Sequence, residues 1–366
     1  MATTMIEEQK NQSAGNLESR RPLVLIIHGV GGPRILSSVQ VIVKRAYPSA
    51  EILLPRLPHR RVFSFDRLSD AVADLVQLLN DQWHEHYSEL VIIGHSAGGP
   101  LARAVYLAGE KNEAPWAKSL QAKGRIVMLA GMNRGWQISH HLSIGQAIAW
   151  SFGSVLGHAL SLFGLPPILF DLRRGSHFLT RLRFEWLDRA QKHRMPLVVQ
   201  LLGTIDDMVG PEDAIDLVTG ENFRYLDVPF SGHRSVVEMS ADREHGDTRA
   251  EVLQIALGPQ AQIAEYEVRP WTLSQQIANR QHQETVEHVV FVIHGIRDRG
   301  FWTDKIARHI WRRCPAEQRG TLERVTASYG YLGMGPFMFP WVRRKKVEWL
   351  ADTVLVKFAQ MPGKVQ

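Results

Sequence analysis

Ser96 stands in the stretch Gly94-His95-Ser96-Ala97-Gly98, between the apolar run Leu90-Val91-Ile92-Ile93 and a helix-compatible run from Pro100 to Ala108. A serine hydroxyl is a weak nucleophile, and a tight strand-to-helix turn makes it reachable by lifting it clear of the sheet edge. Glycines two before and two after leave room for strand and helix to approach. Such a nucleophile needs a base, an acid to orient the base, and donors for a developing oxyanion. The base is expected at His233, which follows a late strand through the short turn Pro229-Phe230-Ser231-Gly232. The run Leu201-Leu202-Gly203-Thr204-Ile205 ends on two carboxylates, Asp206 and Asp207, which leaves the acid open between them. The glycine-rich loop His28-Gly29-Val30-Gly31-Gly32 closes the first strand, so the backbone N–H groups of Val30 and Ala97 are the expected oxyanion donors. His28 and His95 are expected to shape these loops, with Gly29 between them in support.

Side chains so far apart in sequence must be gathered by a scaffold. Short β-type runs at Leu23 to Ile27, Glu51 to Leu54, Leu90 to Ile93, Arg125 to Leu129, Leu197 to Leu202 and Phe223 to Val228 alternate with helical patterns. One helix is predicted from Asp66 to Trp83, where Leu68, Val72, Leu75, Val76 and Leu79 recur at helical spacing. Alternation of this kind gives an α/β fold, a mainly parallel sheet with helices on both faces, with reactive groups at the carboxyl ends of the strands. The spacing breaks once, and residues 136–193 read as a cap insertion. No Asp, Glu, Lys or Arg occurs between Gly135 and Phe170, so this part is expected to line an apolar pocket or to dip into a membrane surface.

The constellation resembles the α/β-hydrolase superfamily, and within it the bacterial lipase and GPI-inositol-deacylase-like esterases, from Pro22 to about Leu257. The order Ser, Asp, His is that superfamily's order. The resemblance selects Asp206 over Asp207, because the family acid sits in a G-x-x-D-x-x-V pattern. The segment Arg174-Gly175-Ser176-His177-Phe178-Leu179 is similar to the lipases' P-G-S-x-F-L, whereas Ala130-Gly131-Met132-Asn133-Arg134-Gly135 lacks the proline and histidine of their T-P-H-x-G turn. The resemblance implies a two-step acyl transfer from a carboxylic ester or lipid, with no metal or organic cofactor. Two other readings keep the same shell: a membrane-associated phospholipase that uses residues 135–170 as a dipping cap, and a non-catalytic binding protein.

The remaining features bound the setting. With 45% apolar and 22% charged residues in 366, the chain reads as a globular protein with one large domain and a smaller module. Residues 1–20 read as a solvated tail, 21–258 as the hydrolase domain and 259–284, rich in glutamine, as a linker. Val289-Val290-Phe291-Val292-Ile293-His294-Gly295-Ile296 then repeats Leu23 to Val30 nearly position for position, so 285–366 reads as an incomplete second copy without a nucleophile. The formal charge of +6 reads as spread along the chain, densest at Arg173-Arg174, Arg312-Arg313 and Arg343-Arg344-Lys345-Lys346. Without aromatic-basic alternation, no nucleic-acid partner is expected. The lone Cys314 allows no internal disulfide, which fits a cytoplasmic location with peripheral membrane contact as the variant.

Overall fold

The computed structural model describes residues 21–29, 32–57, 66–135, 171–173, 175–205, 215–216, 222–268, 287–293, 303–319, 321–325 and 337–360. The tail 1–20, residues 136–170 of the apolar cap segment and residues 294–302 lie outside the described residues. The chain divides into two compact units.

The first unit comprises residues 1–131, 196–206 and 226–267. Its strands are β1 (Arg21–Ile27), β2 (Glu51–Leu53), β3 (Tyr87–His95), β4 (Arg125–Leu129) and β5 (Leu197–Gly203), with β6 (Phe223–Val228) crossing the boundary between units. They form one six-stranded sheet in the order β2-β1-β3-β4-β5-β6. The pairs β1–β2, β1–β3, β3–β4 and β4–β5 are parallel. Strands covered on both faces read as continuous apolar runs without alternation, and Leu23 to Ile27, Leu90 to Ile93 and Ile126 to Leu129 are all fully buried. Each such side chain contributes about 2 kcal/mol of burial free energy. The one polar side chain in the middle of β5, Gln200, is also fully buried, and its Nε2 donates to the Gly131 carbonyl.

Helices α1 (Ser37–Ala46), α2 (Leu68–Gln82), α3 (Gly98–Lys111), α4 (Pro115–Ala122) and α6 (Gly246–Leu257) join and cover these strands, and α2 starts two residues later than its pattern suggests. The stretch read as a linker opens with another helix, α7 (Gln260–Tyr266). Its Ile263 is fully buried in the sheet's core cluster, so one apolar residue among glutamines is enough to dock a short helix. Residues 269–286 lie outside the described part.

The second unit comprises residues 132–195, 207–225 and 268–366. It contains α5 (His177–Lys192), whose N-terminus is capped by Ser176 Oγ accepting from the Leu179 N–H. Strands β7 (His288–Phe291) and β8 (Leu322–Val325) form a separate parallel pair, with α8 (Thr303–Arg313) between them in the chain and α9 (Pro340–Gln360) after them. A buried ion cluster joins α5 to α9. Arg183, with its side chain 1% exposed, donates from Nε to Asp216 at 3.0 Å and from Nη1 to Glu348 at 3.0 Å. The second Glu348 oxygen accepts from the Gly175 N–H at 3.1 Å, and Arg134 Nε lies 3.4 Å from the first. Gly175 has φ +74, and a Cβ there would meet the Arg344 carbonyl at 2.4 Å, so glycine is what lets α9 come this close. The C-terminal segment is therefore not closed on itself.

Breaking a buried ion pair costs roughly 3–5 kcal/mol, and taking one carboxylate from this cluster leaves its two arginines facing a single one, at a cost of up to that order. Glu348→Ala is expected to lower the unfolding free energy by an amount of that order, read as a lower denaturant midpoint, and Asp216→Ala to do the same. A midpoint unchanged from wild type, followed by tryptophan fluorescence, would show that the cluster does not hold this unit together.

Candidate functional site

Ser96 directly follows β3, with Ala97 between it and the start of α3, and its φ is +54. For a non-glycine residue this left-handed conformation costs of order 1–3 kcal/mol, and it persists only where the surroundings over-determine it. Here the Ser96 N–H donates to the Leu129 carbonyl at 3.0 Å and the Ser96 carbonyl accepts from Gly99 at 3.1 Å, so β4 and α3 hold the turn from both sides. The glycines around it are steric necessities. A Cβ on Gly94 would sit 2.2 Å from the Gly98 carbonyl oxygen, and one on Gly98 would sit 2.2 Å from the Ile27 carbonyl oxygen. A Cβ on Gly29 would lie 2.7 Å from Ser96 Cβ, which puts the loop after β1 directly against the serine.

His233 Nε2 lies 2.8 Å from Ser96 Oγ, and both side chains are 5% exposed. The loop that carries His233 is fastened at several points. His95 Nε2 donates to the His233 carbonyl at 3.0 Å. The Ile205 N–H donates to the Ser231 carbonyl at 3.0 Å, and the Phe230 N–H to Thr204 Oγ1 at 3.0 Å. These two bonds draw the end of β5 to the histidine loop immediately before Asp206. Gly203 permits the approach, since a Cβ there would meet the Ser231 carbonyl oxygen at 2.4 Å.

His28 is fully buried and accepts the Leu57 N–H at Nε2 while Nδ1 faces the Gly29 carbonyl at 2.7 Å. Only the neutral ring with its proton on Nδ1 satisfies both partners, a tautomer assigned from the hydrogen bonds. His28 thus fixes the loop that bears Gly29, and His95 fixes the loop of His233. Ala97 lies buried at the turn. Val30, Asp206 and Asp207 lie outside the described residues.

One residue that matters to this geometry escapes a motif-based reading. Arg249, on α6 and 5% exposed, donates from Nε to Ser231 Oγ at 2.9 Å and from Nη2 to the Phe230 carbonyl at 3.0 Å. Its Nη1 reaches the carbonyls of Glu238 at 3.2 Å and Glu244 at 2.9 Å. The planar guanidinium thereby ties the turn before His233 to the segment after it, and Phe230 is held at φ +52. The available signal was a charge out of place: Arg249 shares a helical face with Leu253 and Ala256, both fully buried.

A family model described as the alpha/beta hydrolase family matches residues 24–288. The chain belongs to the alpha/beta hydrolase family. Among solved structures, phospholipase PlaB from Legionella pneumophila is 14% identical with a TM-score of 0.48, covering 76% of this chain and 72% of that one. A monoacylglycerol lipase from Paleococcus ferrophilus is also 14% identical, with a TM-score of 0.41 and coverage of 64% and 93%. The lipase BlEst2 from Bacillus licheniformis is 13% identical, with a TM-score of 0.44 and coverage of 66% and 94%. A comparison with curated proteins finds no match.

The packing of this hydrolase turn yields a contrast between two glycines. Gly98→Ala drives a Cβ into backbone and is expected to cost about 3 kcal/mol or more. Gly131→Ala meets Gln200 Oε1 at 3.0 Å and Met128 Cβ at 3.2 Å, without the 2.2 Å backbone collision at Gly98, and is expected to cost less than Gly98→Ala. Thermal melts of the two variants check the ranking, and equal losses would contradict the packing at the turn.

Proposed function

We propose that this alpha/beta hydrolase cleaves carboxylic esters through an acyl-enzyme, with Ser96 as nucleophile, His233 as base and Asp206 as the orienting acid. The observation that carries this reading is the 2.8 Å approach of His233 Nε2 to the hydroxyl of a serine held at φ +54. A base within hydrogen-bond reach of a nucleophile on a strained turn is the arrangement that acyl transfer requires.

The proton on Ser96 Oγ passes to His233 Nε2 as Oγ attacks the ester carbonyl. The carbonyl oxygen takes up negative charge and turns toward the backbone N–H groups of Val30 and Ala97. Gly29, kept small by its closeness to Ser96, leaves the space this oxygen needs. As the tetrahedral intermediate collapses, the alkoxide leaving group takes the proton from the imidazolium and departs as an alcohol. Water then attacks the acyl-enzyme, gives a proton to His233 and releases the carboxylic acid, and Ser96 recovers its proton. Asp206 holds the imidazole with its accepting nitrogen toward Ser96. Support for Asp206 comes from its place in the sequence, directly after Ile205, whose N–H donates to the Ser231 carbonyl. Asp207 is the alternative acid. The uncharged segment from Gly135 to Phe170 suits an apolar acyl chain.

Ser96→Ala removes only the hydroxyl, and hydrolysis of p-nitrophenyl esters is expected to fall by about 10^4-fold or more with the melting temperature kept near wild type. Turnover of the purified alanine variant at the wild-type rate would sink the reading. Asp206→Asn is expected to lower kcat by about 10^3-fold or more, against less than about tenfold for Asp207→Asn. The opposite ranking in kcat would transfer the acid to Asp207.

A further inference from the structure

The charge of this chain is not spread along it. Residues 285–366 contain fourteen Lys and Arg against seven Asp and Glu, a net +7, so the preceding 284 residues sum to −1. The composition-level expectation of an even distribution fails because a single total hides where the excess lies. The whole positive balance sits in the segment carrying α8 and α9.

Both helices also leave part of their aliphatic stripe exposed, where amphipathic helices normally bury it. On α8, Thr303 and Ala307 are buried, while Ile306 and Ile310, one turn apart, are each more than a third exposed. Lys305, Arg308, His309, Arg312 and Arg313 are exposed around that isoleucine pair. On α9, Glu348, Ala351 and Leu355 are buried, while Val347 and Leu350 face outward beside the exposed Arg343. On α9 the Arg183–Glu348 pair fixes the inward face, and the aliphatic residues are left outside.

We propose that this C-terminal surface docks on an anionic lipid bilayer, with its aliphatic pairs entering the boundary of the acyl chains and its arginines and lysines facing the headgroup phosphates. Interleaved aliphatic and basic residues on one exposed helix face fit a charged interface, which offers both environments at once. A nucleic acid offers no place for two isoleucines, and the aromatic ring on α8 is not an open stacking platform. Trp311 is covered by the Arg319 and Arg324 guanidinium groups, 5.3 and 5.5 Å from its ring centre. The choice of a lipid over an acidic protein rests on the proposed cleavage of apolar esters. Among the described residues no helix is long and apolar enough to cross a membrane.

The test is flotation of the full chain with vesicles of phosphatidylcholine alone and with phosphatidylglycerol added, at low and high salt. Binding is expected at least tenfold stronger to the anionic vesicles and weakened by salt. The Ile306→Ser/Ile310→Ser variant and the Lys305→Gln/Arg312→Gln/Arg313→Gln variant are each expected to lose binding tenfold or more, with turnover of a water-soluble ester unchanged as the check on folding. Ser96→Ala is expected to float as wild type does. Flotation without any Ser96-dependent hydrolysis would remove the esterase reading and leave the lipid surface standing. Equal binding to neutral and anionic vesicles, undiminished binding by both surface variants, or retention by duplex DNA in place of vesicles overturns the proposal.

Discussion

Everything at the candidate site depends on one backbone angle, the φ of +54 at Ser96. A serine left to itself abandons that conformation, and a cost of about 1–3 kcal/mol has to be met by its surroundings. The surroundings are the buried strands β1, β3 and β4, whose apolar runs fix the level at which the turn leaves the sheet. Once β4 offers the Leu129 carbonyl to the Ser96 N–H, and α3 starts two residues later, the serine hydroxyl has one place to go. Gly29, Gly94 and Gly98 follow from this constraint, because any side chain at those positions collides with what holds the turn.

The histidine is placed by a different device. No regular element carries His233; it sits in a loop whose carbonyls are used as handles by side chains from elsewhere. His95, beside the serine, takes the His233 carbonyl, and Arg249 takes the Phe230 carbonyl and the Ser231 hydroxyl. The loop can thus be as well defined as a helix end while remaining free to present an imidazole edge to Ser96.

What was legible in the sequence follows the range of the interactions. The six strands, the turn at Ser96 and the position of His233 are written in local patterns, in apolar runs and in glycines whose spacing has a steric meaning. Arg249 is invisible to such reading because its partners, Ser231 and the carbonyls of Phe230, Glu238 and Glu244, carry no residue-type signature. The joining of α5 to α9 is invisible for a related reason. Arg183 and Glu348 are 165 residues apart, and only the folded chain makes them neighbours. Ile263 shows the opposite limit, in which a glutamine-rich composition conceals a docked helix. The acid and the Val30 donor remain readings of sequence and family pattern, since Asp206, Asp207 and Val30 lie outside the described residues.

The central claim is that His233 activates Ser96 as a nucleophile. Treating the protein with a fluorophosphonate and mapping the adduct by peptide mass spectrometry tests it at the atom concerned, without any need to know the natural substrate. The account requires a single phosphonyl group on Ser96 in the wild type, formed at a rate that falls by orders of magnitude in His233→Ala. A folded wild-type protein that acquires no adduct, an adduct on another residue, or equal labelling rates with and without the imidazole would contradict it.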